Sequence, residues 1–492
     1  MEDISASCVS LNVAASTEKK RTSIIRETLY RQLLATSLAA SFNIVFGISL
    51  AYSAILNPEL GRNTSDIQTT QAERSWVASV LTLAVPVGAP VGGILMDTVG
   101  RLNTVKIACV PAVIGWVLIA TSSNFWTLIV GRICTGVASV WGTGPAIVYI
   151  TEIARSDIRG SLISFAPAYT SLGMVLAYIK GWAFGWRLTA WLCGKTLAEL
   201  QFINLKEANN KKRTMDHHKR GVMGVLGGFL KPTGYKPLLI LFGFFIFQQF
   251  SGIYITLFYS VEFFDEVGTN INPYLCSIFI GMVRAVMSVV NTYMLKTFRR
   301  RPLLIWSSLG MALSMFISGL FTTWIKNGTT TWNWIPVVAV MFYVVASMFG
   351  LLSIPWTMTA ELFPIEIRAV AHSWIYSGAY LIMFFSVQNY HALEKLCGGV
   401  AEVQWFFGVV SMAGLVYAVF FLPETHGSEL SEIEDYFRSN TIYLWRKTKT
   451  PASRKGSQYS YRKPSGDIVK KNVLKTVTED TTDQNEKLLS QS

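Results

Sequence analysis

Two adjacent amide side chains, Gln248 and Gln249, interrupt an otherwise apolar stretch of the sequence. An amide without a hydrogen-bond partner in such surroundings is costly, because its polar groups lose water and gain nothing in return. Amides both donate and accept hydrogen bonds, and so do the hydroxyl groups of a carbohydrate. The pair therefore predicts a binding site for a hydroxyl-rich solute. Hydrogen bonding between neighbouring helices is the alternative interpretation.

Trp356 and Arg284 have chemistry that suits the same kind of site. Trp356 follows Pro355, which can break a helix and let the indole face stack on a sugar ring. Packing in the core is the alternative for this side chain. Arg284 falls in the middle of another apolar stretch, where an ionisable side chain marks a functional site by default. No carboxylate lies at a similar depth, so Arg284 is predicted to bind either substrate hydroxyls or backbone carbonyls and water.

Charged residues form four clusters, each directly after an apolar stretch. Partly shielded pairs of arginine and carboxylate can hold two parts of a protein together and separate when it opens. The alternative is a solvated rim, in which each pair contributes ~0–1 kcal/mol. Recurrence of the clusters in corresponding places favours a cytosolic gate. The predicted gate residues are Asp97, Arg101, Glu152, Arg159, Arg300, Arg301, Glu361 and Arg368.

The composition indicates which elements hold these residues. Only 15% of the 492 residues are charged, against roughly 25% in a soluble protein. The apolar residues lie in long runs, and ~20 helical residues cross the hydrocarbon core of a bilayer. These runs are far too long for barrel strands, so the sequence predicts an all-α polytopic membrane protein. Its eleven clear spans are Leu33–Leu56, Trp76–Met96, Val105–Thr121, Trp126–Ile150, Leu162–Lys180, Pro237–Phe258, Pro273–Leu295, Leu303–Thr323, Ile335–Met358, Ala371–Asn389 and Phe406–Leu422.

Lysine and arginine predict the orientation of these spans. They are concentrated in the N-terminal tail (1–32), in short loops and in a largely disordered C-terminal tail (423–492). Basic residues favour the cytosolic side of a membrane, so both termini are predicted to be cytosolic. The net charge of +13 therefore indicates a lipid bilayer, and not nucleic acid, as the partner.

One segment conflicts with this orientation. Eleven spans place residues 194–236 outside, yet this segment is as basic as a cytosolic linker. The charges describe twelve spans: a first bundle (33–193) with five clear spans and the start of a sixth, and a second bundle (237–422) with six. Gly181–Phe202 is the only candidate for the twelfth. Each of its central charges costs ~2.5–3.5 kcal/mol on insertion scales, so we do not expect it to span unaided.

Two sequons agree with the orientation that twelve spans give. Asn63 and Asn327 each begin an Asn-x-Ser/Thr triplet in a loop predicted to lie outside, and both are predicted glycosylation sites. The six cysteines form no metal or disulfide pattern, and no nucleophile–base pair is visible. We expect neither enzymatic activity, nor a cofactor, nor a metal site.

The charged clusters belong to a larger set of motifs. The chain has Gly93–Arg101 as GxxxDxxGR, Gly131-Arg132 in the fourth span and Glu152 before Arg159-Gly160 after it. Gln248–Ile253, Arg300–Leu304, Pro355–Pro364 and Pro423–Gly427 complete the set. With these motifs, the sequence from Leu33 to Phe437 resembles the sugar porter branch of the major facilitator superfamily. It is most similar to insect-type facilitated trehalose transporters.

The resemblance implies two six-helix bundles around a central cavity, with the substrate near the middle of the bilayer. It implies that Gln248, Gln249 and Trp356 bind a sugar, and it places Tyr254 and Arg284 at positions where the family has asparagine. No Asp or Glu lies within the first predicted span, which favours facilitated diffusion over proton symport. We expect a facilitative carrier of trehalose or a hexose in the plasma membrane, with no obligate protein partner.

Departures from the family support other interpretations. Pro167 and Ala379 replace a glutamine and an asparagine of the family, and most of its sixth span has no counterpart after Cys193. This gap coincides with the conflict found from charge. It favours, as an alternative, a transport-incompetent sugar sensor or an inactive isoform that inserts poorly. A carrier for another organic solute, anionic because of Arg284, is a third interpretation.

Overall fold

The computed structural model describes residues 2–62, 65–154, 162–163, 165–208, 231–268, 271–364, 367–425 and 430–439. Within these ranges only the backbone is described at residues 2–29, 31, 196–208, 360, 368–369, 430–431 and 439. Every regular element in this part of the chain is a helix. Long apolar stretches form helices because a helix satisfies its backbone hydrogen bonds internally, as lipid requires. The predicted all-α membrane class is confirmed.

The first half of the chain contains six helices. They are α1 (Glu2–Leu60), α2 (Gln71–Thr98), α3 (Arg101–Ile107), α4 (Cys109–Ala120), α5 (Phe125–Ile153) and α6 (Phe165–Ala208). The helix α1 packs against α5 and α6, and α2 and α4 pack on α5. The fully buried Arg132 of α5 donates to the carbonyls of Ser49 on α1 (2.9 Å) and Val77 on α2 (3.1 Å). This side chain joins three helices of the half.

The second half has longer helices alternating with short ones. They are α7 (Pro232–Phe250), α8 (Ile255–Phe258), α9 (Ser260–Val267), α10 (Pro273–Thr297), α11 (Arg300–Lys326), α12 (Ile335–Phe349), α13 (Ile354–Glu361), α14 (Arg368–Gln388), α15 (Tyr390–Cys397), α16 (Val400–Phe421) and α17 (Leu430–Ser439). The helix α11 packs against α12 and α16, and α7 packs against α14, α16 and α17.

The two halves meet along two helix pairs. The helix α6 packs on α10, and α2 packs on α14. The hydroxyl of Tyr178 donates to the carbonyl of Leu257 across the junction (3.2 Å), and Ser79 donates to the Gln388 amide oxygen (2.5 Å). The junction therefore combines close packing with polar contacts that can exchange partners.

In the part of the chain that the structure describes, nine helices are long and apolar enough to cross a membrane. Each corresponds to one of the eleven predicted spans. The other two predictions, Leu162–Lys180 and Pro237–Phe258, fall on α6 and on α7 with α8. The total number of spans stays a prediction.

The helix α6 reverses direction at Gly185. This residue has φ +67°, a backbone conformation that favours glycine. Beyond it, Arg187 donates to the carbonyl of Ala120 at the end of α4 (3.2 Å). A Cβ on Gly194 would lie 3.4 Å from Cβ of Trp116, one turn earlier in α4. The second part of α6 thus runs antiparallel to α4.

This reversal bears on the conflict between charge and span number. At 1.5 Å per residue, residues 186–208 extend roughly 34 Å, enough for the ~30 Å hydrocarbon core. That direction agrees with a basic segment on the cytosolic side. The helix continues past 194, where the linker was predicted to begin. The remainder of that linker at 209–230, and the C-terminal tail from 440 onward, lie outside the described residues.

Candidate functional site

A break between α7 and α8 exposes one side of the junction to the predicted amide pair. Gly252 in this break has φ +92°, and a Cβ there would lie 2.5 Å from the ring of Phe407. Only glycine fits both the conformation and the space. The hydroxyl of Tyr343 donates to the carbonyl of Ser251 (2.8 Å), which satisfies backbone that the break leaves unpaired. The break therefore separates Gln248 and Gln249 from Tyr254.

A second break separates α12 from α13. The sequence placed this break at Pro355, but the structure places it earlier, at residues 350–353, with Pro355 in the first turn of α13. Proline is tolerated there because the first turn lacks helical N–H partners anyway. Pro355 has no N–H to offer the carbonyl of Leu351, four residues earlier. The Gln248 amide donates to this carbonyl (2.7 Å) and to that of Leu352 (2.9 Å).

Gln249 has a different environment from its neighbour. Its side chain is 0% exposed. Its amide nitrogen lies 3.4 Å from the amide oxygen of Gln248, and its own amide oxygen has no hydrogen-bond partner in the described structure. A buried acceptor left unpaired costs ~1–3 kcal/mol. Of the two amides, Gln249 is the one whose hydrogen bonding is incomplete.

Aromatic side chains surround the second break. The ring of Trp356 lies 4.6 Å from that of Phe245 on α7 and 5.2 Å from that of Tyr376 on α14. The hydroxyl of Tyr254 interacts with Trp356. Tyr376 and Tyr380, whose rings are 4.9 Å apart, were not predicted from the sequence. Their spacing of four residues puts them on one helix face and could have indicated them.

Arg284 completes this cluster from α10. Its side chain is 8% exposed, and it interacts with the phenols of Tyr254 and Tyr178. Tyr178 belongs to the first half of the chain, whereas the other residues belong to the second. None of the described carboxylates forms an ion pair with Arg284. The structure brings all five predicted binding residues to the junction of the two halves.

The predicted gate residues of the first half form one pair. The Arg101 guanidinium lies 3.0 Å from the carboxylate of Glu152. Asp97 is exposed, and no described residue forms an ion pair with it. Arg159 lies outside the described residues. The pair links the start of α3 to the end of α5 within a single half.

The predicted gate residues of the second half form a larger network. The Arg300 guanidinium lies 3.1 Å from the carboxylate of Glu361, which also accepts a hydrogen bond from Thr425 (2.7 Å). Arg301 donates to the carbonyl of Val419 (2.6 Å). The side chain of Arg368 lies outside the described residues. This network, too, stays within one half.

Glu424 is a member of this network that sequence reasoning missed. Its two carboxylate oxygens accept hydrogen bonds from the backbone N–H groups of Arg300 (3.0 Å) and Arg301 (3.2 Å). These N–H groups begin α11, and a helix N-terminus binds an anion well. The Pro423–Gly427 motif directly after the last span was the available signal. Glu424 fixes the end of α16 to the start of α11.

The two halves touch at the opposite end of the molecule. The hydroxyl of Tyr274 on α10 lies 3.1 Å from the carboxylate of Glu59 at the end of α1. The ring of Trp76 on α2 lies 5.6 Å from that of Phe384 on α14. This end carries the loop from α1 to α2, which the sequence predicted to lie outside. The outer side is closed by contacts between the halves.

An acidic cluster lies at this closed end, on α9 and α15. The ring nitrogens of His391 are 3.8 Å from a carboxylate oxygen of Glu262 and 3.3 Å from one of Glu394. Burial raises the pKa of Glu262. It also raises the pKa of Glu266 to about 8, and the charges of Glu394 and Glu262 add to this effect. The Glu266 carboxyl group therefore holds its proton at neutral pH.

The two sequons fare differently in the structure. Asn327 is exposed and directly follows α11, at the end of this helix opposite Arg300. Asn63 lies outside the described residues. Glycosylation of both stays a prediction, and for Asn327 the position is sterically open.

The sequence profile of the Sugar (and other) transporter family matches residues 36–197 and 187–437 of this chain. Among similar proteins is a facilitated trehalose transporter of Polypedilum vanderplanki, 27% identical over 82% of this chain and 88% of that protein. Another, from Culex quinquefasciatus, is 28% identical over 83% and 86%. Trehalose transporter 1 of Drosophila melanogaster is 28% identical, and the chain spans about half of it (52%).

These alignments also locate the gap. The 82% of this 492-residue chain is about 403 residues, whereas the alignment to the Polypedilum protein runs over 447 positions, so more than 40 of them lack a counterpart here. The two family matches meet at residues 187–197. This is where the sixth span was predicted to be shortened.

Solved structures of low sequence identity share the fold. The inward open conformation of the xylose transporter XylE from E. coli has a TM-score of 0.67 and 22% identity, over 81% of this chain and 98% of that one. A D-xylose-proton symporter has a TM-score of 0.65 over 80% and 99%. With two bundles that meet around paired amides and a family profile matched along most of its length, this chain belongs to the Sugar (and other) transporter family, the sugar porter branch of the major facilitator superfamily.

Proposed function

We propose that this chain is a facilitative carrier that moves trehalose or a hexose across the plasma membrane by alternating access. The observation that carries the proposal is the cluster at the junction of the halves. Gln249 offers an unpaired amide oxygen there, beside the aromatic rings around Trp356. Sugar hydroxyls can complete that hydrogen bonding, and an aromatic face can lie against the ring. Similar proteins named as facilitated trehalose transporters support the choice of substrate.

Contacts between the halves support alternating access. The outer ends are joined by the contact of Tyr274 with Glu59, whereas the described cytosolic ion pairs, such as Arg300 with Glu361, lie within one half. This arrangement is that of a carrier closed to the outside. Rocking of the two bundles about the central cluster would exchange the outer contacts for cytosolic ones, in which Asp97, Arg159 and Arg368 are the proposed further gate residues.

Facilitated transport, without a coupled proton, is supported by the first span. Between Gln32 and Leu60 the only carboxylate is Glu59, at the outer end of α1. A proton carrier usually has an acidic side chain within the membrane. The proposal therefore needs only the sugar gradient as the driving force.

The test of this function is uptake of radiolabelled trehalose and glucose by oocytes, with surface expression measured alongside. We expect saturable uptake at neutral pH that a proton uncoupler leaves unchanged. Protein at the surface without uptake would instead support the transport-incompetent sensor. That alternative has the shortened sixth span in its favour, but the similar proteins are transporters.

External pH is expected to control opening of the outer side. Closing raises the pKa of Glu266 from its ordinary ~4.3 to about 8. Between these values the closed arrangement binds more protons than the open one, so acid stabilises closure and a rise in pH releases it. The facing cations are Arg74 and Lys326. Initial uptake rates should therefore increase from about pH 5 to about pH 8.

Two matched variants check this pH dependence. Glu266→Gln removes the titrating group and should flatten the profile. Asp265→Asn changes the exposed neighbouring carboxylate and should leave the profile as it is in the wild type. An unaltered profile in Glu266→Gln would assign the pH dependence to another group.

Orientation and glycosylation can be tested together. We infer that both termini are cytosolic and that Asn63 and Asn327 face outward, as the charge distribution predicts. A glycosidase-sensitive shift in gel mobility that disappears in Asn327→Gln would support this. Labelling of a C-terminal epitope on intact cells would contradict it.

A further inference from the structure

Arg284 is a buried cation without an anionic partner among the described residues. It lies near the middle of α10, and its Nε atom has no hydrogen-bond partner. The ionisable groups that face it are the phenols of Tyr254 and Tyr178. A guanidinium keeps its charge at neutral pH. The centre of the molecule therefore carries an uncompensated positive charge.

Arg132 shows how this chain satisfies a buried guanidinium when it is structural. Carbonyls of Ser49 and Val77 accept hydrogen bonds from it, and the Ser53 hydroxyl accepts a third. No such set of acceptors surrounds Arg284 in the described structure. Because a buried charge is costly unless paired or fully hydrogen-bonded, the partner of Arg284 is expected to come from outside the chain.

The neighbours of Arg284 indicate which anion fits. Tyr254 interacts with both Arg284 and Trp356, and the incomplete amide of Gln249 lies on α7, four residues from Phe245, which touches Trp356. These groups suit a ring that bears hydroxyls. A guanidinium forms two parallel hydrogen bonds with a carboxylate, a geometry that a single hydroxyl cannot provide. A sugar ring with one carboxylate satisfies both requirements.

We propose that this carrier has a second class of substrate, the monoanionic hexuronates, and that Arg284 binds their carboxylate. This inference rests on the proposed sugar transport and extends it to a charged substrate. Movement of a hexuronate without a coupled ion carries one negative charge across the membrane. Its entry should therefore produce an outward current, whereas entry of a neutral hexose should produce none.

The experiment compares glucuronate with glucose in voltage-clamped oocytes. We expect saturable glucuronate uptake accompanied by an outward current. Arg284→Asn installs the residue that the family often has here, and it should lower the ratio of glucuronate to glucose uptake by roughly tenfold or more, because a charge-assisted hydrogen bond is lost. Arg284→Lys, which keeps the charge but not the paired hydrogen bonds, should give an intermediate ratio. Arg187→Asn, at the outer end of α6, is the control and should leave the ratio unchanged.

The outcomes separate this inference from the proposed function. Glucose uptake without glucuronate uptake or competition would overturn the inference and leave the proposed function standing. If the wild type transports neither sugar, the proposed function fails, and thermal stabilisation of the purified protein decides the inference. Stabilisation by glucuronate beyond that by glucose and by chloride would support it. Equal stabilisation by chloride would identify a site for inorganic anions and contradict it.

Discussion

Replacing Gln249 by methionine is expected to lower sugar uptake by roughly tenfold or more, the equivalent of ~1.4 kcal/mol, at unchanged surface expression. The amide oxygen of Gln249 is buried and has no partner in the described structure, so the protein loses no internal hydrogen bond to this atom. Methionine fills a similar volume without a polar group. What disappears is the acceptor that the sugar would meet. Uptake and surface protein, measured in the same cells, test the expectation.

Gln248→Met is the matched control, since it makes the same change one residue earlier. The Gln248 amide donates to the carbonyls of Leu351 and Leu352. Its loss leaves both carbonyls without this donor inside the membrane, so we expect reduced stability and surface expression. If Gln249→Met transports normally, Gln249 does not bind the substrate. If both variants behave alike, the two amides share one role.

Gly173→Ala is expected to prevent stable folding. The helices α1 and α6 approach so closely that a Cβ on Gly173 would overlap the carbonyl oxygen of Ile44, and one on Gly47 would overlap that of Thr170. Backbone atoms cannot rotate away as a side chain can, so the helices must separate. Separation of two helices packed through small residues removes the contacts that hold them together in lipid. Overpacking of this kind costs ~1–3 kcal/mol or more.

The control for this prediction is another membrane glycine. Gly144 lies in α5, and a Cβ there would meet nothing within 4 Å. Gly144→Ala should therefore keep the monodisperse peak and melting temperature of the wild type in detergent, while Gly173→Ala should lose both. Similar melting temperatures for the two variants would show that α1 and α6 can move apart without loss of stability.

Hydropathy was enough to place most helices, because a long apolar run has no other way to satisfy its backbone in lipid. It could not place the breaks. The conformation of Gly252 depends on the ring of Phe407, which is distant in sequence, and the break before Pro355 depends on Gln248. The reversal of α6 at Gly185 was equally hidden, since glycine within an apolar run gives no direction.

The site was predicted in composition but not in detail. Gln248 and Gln249 are identical in type and adjacent, so no pattern could distinguish the amide that completes a backbone from the one left unpaired. Glu424 was visible as part of a motif, yet its position at the start of α11 needs two distant segments to meet. Such pairings are set by tertiary packing, and a single sequence does not encode them as a spacing.

The hydrogen bond from Gln248 to Leu351 ties two substitutions into one evolutionary unit. Proline at 355 is tolerable only while an amide at 248 supplies the donor that proline lacks. A lineage that replaces Pro355 by alanine regains a backbone N–H and frees Gln248 to drift. The order of loss is therefore constrained: the amide cannot go first without a period of reduced stability. In a double-mutant cycle, this epistasis would appear as a coupling free energy between the two positions.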